Sequence, residues 1–152
     1  MLGKIIPITA ITILMLTGCN ETPSETAEDV AEAREEAVED IAATREDANQ
    51  TINNAQRDVA AAQRDVIAGD QNAREELTEA QAEAMRESAN ANYEVRKAEV
   101  EGRKDIEDER CDSLTGSGKD SCISDAQRVL AADLAAAVAT RDEVLRAAER
   151  RQ

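Results

Sequence analysis

Thiols, carboxylates and one Gly-Lys fragment are the residues of this 152-residue chain that could do chemistry; histidine is absent. The thiols are Cys19, Cys111 and Cys122. A zinc ion on Cys111 and Cys122 would need two further S or N donors, and there is no imidazole to supply them. A redox-active pair is normally Cys-x-x-Cys, whereas ten residues separate these two. The fragment Gly116-Ser117-Gly118-Lys119-Asp120-Ser121 has the look of a phosphate loop, but the earlier Gly is missing. Asp also stands where Ser or Thr should follow the Lys, and no strand precedes it. The 33 acidic residues are spread along the chain, and nothing implies the fixed cleft that would shift a carboxyl pKa or set a catalytic separation. The chain is therefore expected not to be an enzyme and to hold no metal and no cofactor.

The elements that position these groups follow from composition. Phe, Trp and His are absent, Tyr93 is the one aromatic residue, and 34% of the residues are charged. Ala dominates the apolar set, so burial per residue is small beside the roughly 1.5–3 kcal/mol of a Leu, Ile or Val. Ala, Glu, Arg, Gln and Leu are strong helix formers, and the sequence reads as all-α. Its formal net charge of −15 excludes nucleic acid, which needs a cationic stripe, and otherwise suits a solvated surface.

Thr22-Pro23-Ser24-Glu25 marks a helix start: a hydroxyl at the cap, Pro at the first position and Glu three residues on. No Pro follows. Val30, Ile41 and Ile52 are spaced by eleven, as are Val66 and Leu77, and Val95 and Ile106. A 3/4 ladder runs through Ala55, Val59, Ala62, Val66, Gly69, Ala73, Leu77, Ala80 and Ala84. Eleven-residue spacing favours straight or slightly right-handed pairing. Arg-acid neighbours such as Arg34-Glu35, Arg45-Glu46 and Arg86-Glu87 read as outer decoration. Because the seam crosses Gly69, one helix is expected over 23–110, about 130 Å long at ~1.5 Å per residue. The alternative is a break at Gly69–Asn72, with Asn72 and Glu75 capping a second helix in a three-helix arrangement. Turn composition then fills 111–122. A last helix over 123–149, begun at Ser121 or Ser124, presents Ile123, Leu130, Leu134, Ala137, Val138, Val144, Leu145 and Ala148. It is expected to pack antiparallel on residues ~84–110.

The first nineteen residues have a different character. Met1-Leu2-Gly3-Lys4 is a short basic leader, and Ile5 to Leu16 is an uncharged apolar run, too short for the ~20 residues of a membrane span but suited to a secretory signal. It ends in Leu16-Thr17-Gly18-Cys19, which resembles the lipobox of bacterial lipoproteins. The resemblance implies a signal peptide over 1–18, a lipidated Cys19 with a tether over 19–22, and attachment to a membrane through that lipid. In Gram-negative members Asp after the Cys favours the inner membrane, so Asn20 implies the outer membrane, facing the periplasm. With Cys19 consumed, export leaves Cys111 and Cys122 as an even pair in an oxidising compartment, where a disulfide is expected.

The pattern Cys111-x-x-Leu114-x-Gly116-x-x-Lys119-x-x-Cys122 between Ala-rich helices resembles a set of uncharacterised exported proteins of Gram-negative bacteria, which implies a disulfide-closed helical hairpin. Leu114 reads as a packing anchor and Lys119 as a loop charge; both are also the candidate partner-binding residues of the tip. The lipidated Cys and apolar repeat resemble the major murein lipoproteins. The final Arg150-Arg151-Gln152 offers no Lys for a covalent peptidoglycan link, and none is expected. The leading expectation is a lipid-anchored structural spacer or interaction module, with self-association or a helical partner along the open seam from Val30 to Leu77. Two other readings remain: a stress-protection protein resembling the late-embryogenesis-abundant family, and a periplasmic adaptor or inhibitor docking through 111–122.

Overall fold

The computed structural model describes residues 22–151. The leader, Cys19 and Asn20 lie outside the described residues. The chain is all-α: α1 (Pro23–Ala68), α2 (Ala73–Asp112) and α3 (Ser117–Glu149). Helix α1 starts where the cap motif places it. The Thr22 hydroxyl accepts from the Glu25 N–H at 3.3 Å, and the Glu25 carboxylate accepts from the Thr22 N–H at 2.8 Å. That reciprocal box satisfies two otherwise orphaned donors.

The single helix over 23–110 does not form; the three-helix alternative does. Gly69 takes φ 87°, and the chain turns there. The Asp70 N–H reaches back to the Asp65 carbonyl and the Gly69 N–H to that of Val66, both at 3.2 Å. This is the six-to-one and five-to-two pairing that closes a helix on a left-handed residue. Helix α2 opens on the Asn72 carbonyl, which accepts from Glu75 and Glu76. The Asn72 side chain makes no cap; the Asp70 carboxylate instead accepts from the Asn72 N–H at 2.9 Å.

The two arms of the apolar ladder close on each other. Residues buried on α1 are Thr26, Ala37, Ala48, Ala55 and Ala62, spaced by eleven, eleven, seven and seven. Ala37 meets Gly102: a Cβ added at Gly102 would lie 2.8 Å from the Ala37 Cβ. Counting outward in both directions from that contact pairs Ala48 with Ala91, Ala55 with Ala84, Ala62 with Leu77, and Thr26 with Ser113. Ala91 and Gly102, both buried, thus repeat the eleven-residue step of Ala37 and Ala48, while nearer Gly69 the residues buried on α2 are Ala73, Ala82 and Ala89. Seven-residue steps serve the segment near Gly69, and eleven-residue steps serve the rest. Ala against Ala or Gly permits interaxial distances at the short end of the 8–10 Å range. At ~1.5 Å per residue α1 is about 70 Å long, roughly half the length expected for an unbroken rod.

Helix α3 packs antiparallel on α2, and α1 and α3 do not pack on each other. The expected apolar face is the one used: Ile123, Leu130, Leu134, Ala137, Val138, Val144 and Leu145 are half-buried and Ala148 is fully buried. Arg103 reaches Asp133 at 2.6 Å, and Arg141 lies 4.8 Å from the centre of the Tyr93 ring. From that register α3 ends near residue 86 of α2. Beyond it, α1 and α2 continue as a two-helix arm of about 20 Å. No helix among the described residues is long and apolar enough to cross a membrane.

Candidate functional site

Both cysteines of the distal pair are helical. The Cys111 and Cys122 sulfurs stand at bonding distance, with Cα atoms 5.6 Å apart and Cys111 fully buried. The irregular segment is therefore shorter than 111–122. Helix α2 continues to Asp112, only residues 113–116 form the turn, and α3 begins at Ser117 rather than Ser121 or Ser124. Gly116, at φ 57°, makes that early start possible. The Leu114 N–H donates to the Cys111 carbonyl at 2.9 Å, and the Ser113 hydroxyl to the Arg110 carbonyl at 2.8 Å. Polar residues 117–121 can be helical because the covalent link and the docked face of α3 hold the segment in place.

Leu114 is not a packing anchor, since 43% of it remains exposed. Lys119 is not a free loop charge: its ammonium lies 2.9 Å from Asp112 across the turn. The register also relocates this turn. Because Thr26 is level with Ser113, the turn stands beside the first residues of α1. The far end of the molecule is the Gly69 turn, where Ile67 is 85% exposed. The seam from Val30 to Leu77, expected to be open to a partner, is instead folded at Gly69 so that its α1 part packs on α2.

Ion pairs form both across helices and within a single helical turn. Arg45 pairs with Glu99 of α2 at 2.7 Å and not with Glu46, and Arg96 meets the other Glu99 oxygen at 2.7 Å. Arg86 pairs with Glu83. Adjacent helical residues point about 100° apart and seldom pair; the exceptions are Arg141 with Asp142 at 2.7 Å and Lys104 with Asp105 at 3.9 Å. The Arg45 hydrogen bond, helped by Arg96, holds the Glu99 carboxyl below its ordinary range. Asp108 holds the Lys104 ammonium above its ordinary range. The Glu25 carboxyl is lowered by the Thr22 N–H and hydroxyl. Each carboxylate named here serves a helix cap or an ion pair. No group of three or more His, Cys, Asp or Glu among the described residues is placed to hold a metal.

One feature was not legible in the sequence. Since α1 and α3 leave a gap over α2, a groove of about 640 Å³ opens there, floored by Val100, Ile106, Ala126, Val129 and Leu130 and reached by Arg34. Arg34 and Val129 are both exposed, as their places outside the apolar stripes imply, and only the meeting of three helices brings them to one groove. Val129, half exposed and adjacent to Leu130, was the one available signal. Comparison of the chain with protein-family models, with curated proteins and with solved structures finds no match.

Proposed function

We propose that this chain is a cell-envelope lipoprotein, tethered by lipid on Cys19, that acts as a helical spacer or protein-interaction module and performs no catalysis. The observation that carries the reading is the order of a basic leader, an apolar run, a small pair and Cys19, three residues ahead of the Thr22 cap. A tether that short sets a stiff hairpin directly on a bilayer. Several acyl chains anchor stably where one would be marginal. Asn20 favours the outer membrane, with the arm in the periplasm. The Gly69 end then stands about 70 Å from the lipid and presents Ile67 to a partner. Self-association would use such exposed apolar residues, because the Ala seam is already occupied.

Two other readings are separable from this one. In a docking adaptor the contact would be made by Leu114 and Lys119; the exposure of Leu114 favours it, although that turn lies at the membrane end. A stress-protection protein would be disordered in dilute buffer and helical when dried, whereas buried rows along α1 and α2 favour a chain already folded in solution. Circular dichroism separates these. The anchor is tested by metabolic labelling with palmitate and by fractionation of Cys19→Ser. Label on the native chain, and its loss with release from the membrane in the variant, are the expected results. An unlabelled chain with unchanged fractionation would end the proposal.

A further inference from the structure

The groove over α2 differs from the rest of the molecule in charge as well as in polarity. Its lining contributes four cations and three acids, a local excess of one positive charge on a chain whose formal net charge is −15. Ion pairs use up the others. Arg103 is held by Asp133 at 2.6 Å, Arg110 by Glu107, and Lys104 by Asp108. Asp125 is taken by Arg128 at 3.2 Å. Arg34 is the lining cation that no acid of the described residues neutralises. It comes from α1, while the apolar floor comes from α2 and α3. A free guanidinium is thus set beside a strip of Val100, Ile106, Val129 and Leu130. Val129 is 49% exposed, a large aliphatic surface left in water.

We propose that this groove binds a free single-chain amphiphile with an anionic head, of the fatty carboxylate class. The tail lies along the aliphatic floor and the carboxylate accepts hydrogen bonds from Arg34. A volume of about 640 Å³ falls within the 300–1,000 Å³ range of small-molecule sites, which are mostly apolar with a few polar groups fixing orientation. A guanidinium matches a carboxylate with two parallel N–H bonds. Neutral tails and zwitterions lack that match. The site does not depend on the lipid anchor, because every residue in it lies in the folded helices.

The test uses the full-length chain carrying Cys19→Ser, titrated with a fluorescent polyene fatty acid and then with palmitate or hexadecanol as competitors. Saturable binding of one probe per chain is expected, with palmitate displacing it about tenfold better than hexadecanol. Arg34→Gln should erase that preference and leave the melting curve unchanged. Val129→Glu, at a half-exposed position that folding tolerates, should abolish probe binding with helicity intact. Equal competition by acid and alcohol, or full binding by Val129→Glu, would overturn the proposal. Binding by the Cys19→Ser chain that vanishes in the lipidated chain in nanodiscs would also overturn it, since the groove would then house the protein's own acyl group. A dimer that Val129→Glu dissociates, with no probe bound, would make the face a contact between copies and equally refute it.

Discussion

The two ends of the molecule are stabilised differently although their compositions are alike. Near Gly69, two helices meet through Ala55 and Ala62 of α1 and Ala73 and Ala82 of α2, with no third helix of the described residues on their outer sides. Near Thr22, three helices lie side by side, α1 and α2 meet at eleven-residue steps, and a disulfide closes α2 on α3. The first region depends on alanine burial and on one left-handed glycine. The second adds the larger aliphatic side chains of α3, cross-helix ion pairs and a covalent link. Alanine-rich helices can thus be made to fold back over a long distance, but the contact is shallow wherever a third helix is missing. The Gly69 arm should open before the rest.

The largest test of that contrast is the disulfide. Replacing Cys111 and Cys122 by Ser removes a link closing a loop with sequence separation 11, which should lower stability by about 3 kcal/mol on loop-closure grounds. Amide exchange should then show α3 released first, with α1 and α2 still protected. If α1 and α2 lose protection together with α3, the two regions are one cooperative unit. Gly102→Val comes next. A Cβ there has the Ala37 Cβ 2.8 Å away, and α1 must move outward, at a cost of about 2 kcal/mol in urea unfolding. Ala37→Gly in the same chain should recover most of it.

Gly69→Ala acts at the other end. At φ 87° a Cβ is strained, and a loss of about 1 kcal/mol is expected. A gain in stability would instead mean that the chain prefers an unbroken helix. The smallest effect belongs to Glu99. Its folded-state pKa is lowered by Arg45 and Arg96. Its contribution is therefore fully present above the unfolded value near 4.5 and disappears as pH falls through the lower folded value. Glu99→Gln should flatten the acid limb of a pH-stability curve by a few tenths of a kcal/mol, as partly exposed pairs do.

How much of this the residues disclose depends on how local the signal is. The Thr22-Pro23-Ser24-Glu25 cap acts within one turn and was readable. So was the α3 face, because Leu130, Leu134, Val138 and Leu145 recur at helical steps of four, four and seven, whatever they meet. The fold-back at Gly69 was present only as the less favoured option. The eleven-residue step from Val66 to Leu77 looks like one seam continuing through a helix. It serves equally well as two seams facing each other, since both arms need an apolar edge. The helical state of 117–121 came from a covalent bond and a tertiary dock, neither of which propensity registers. Arg34 and its groove combine three helices that no periodicity relates, so the candidate site was outside the reach of pattern.

The facing of α1 and α2 also restricts how a molecule of this design can change size through insertion and deletion. One residue added to α1 between Ala48 and Ala62 rotates everything after it by about 100°, turning alanines toward water. Seven added residues restore the facing but leave α1 overshooting unless α2 gains seven between Leu77 and Ala91. Descendants of such a hairpin should therefore differ in length by matched blocks on both sides of the glycine turn, and by nothing smaller.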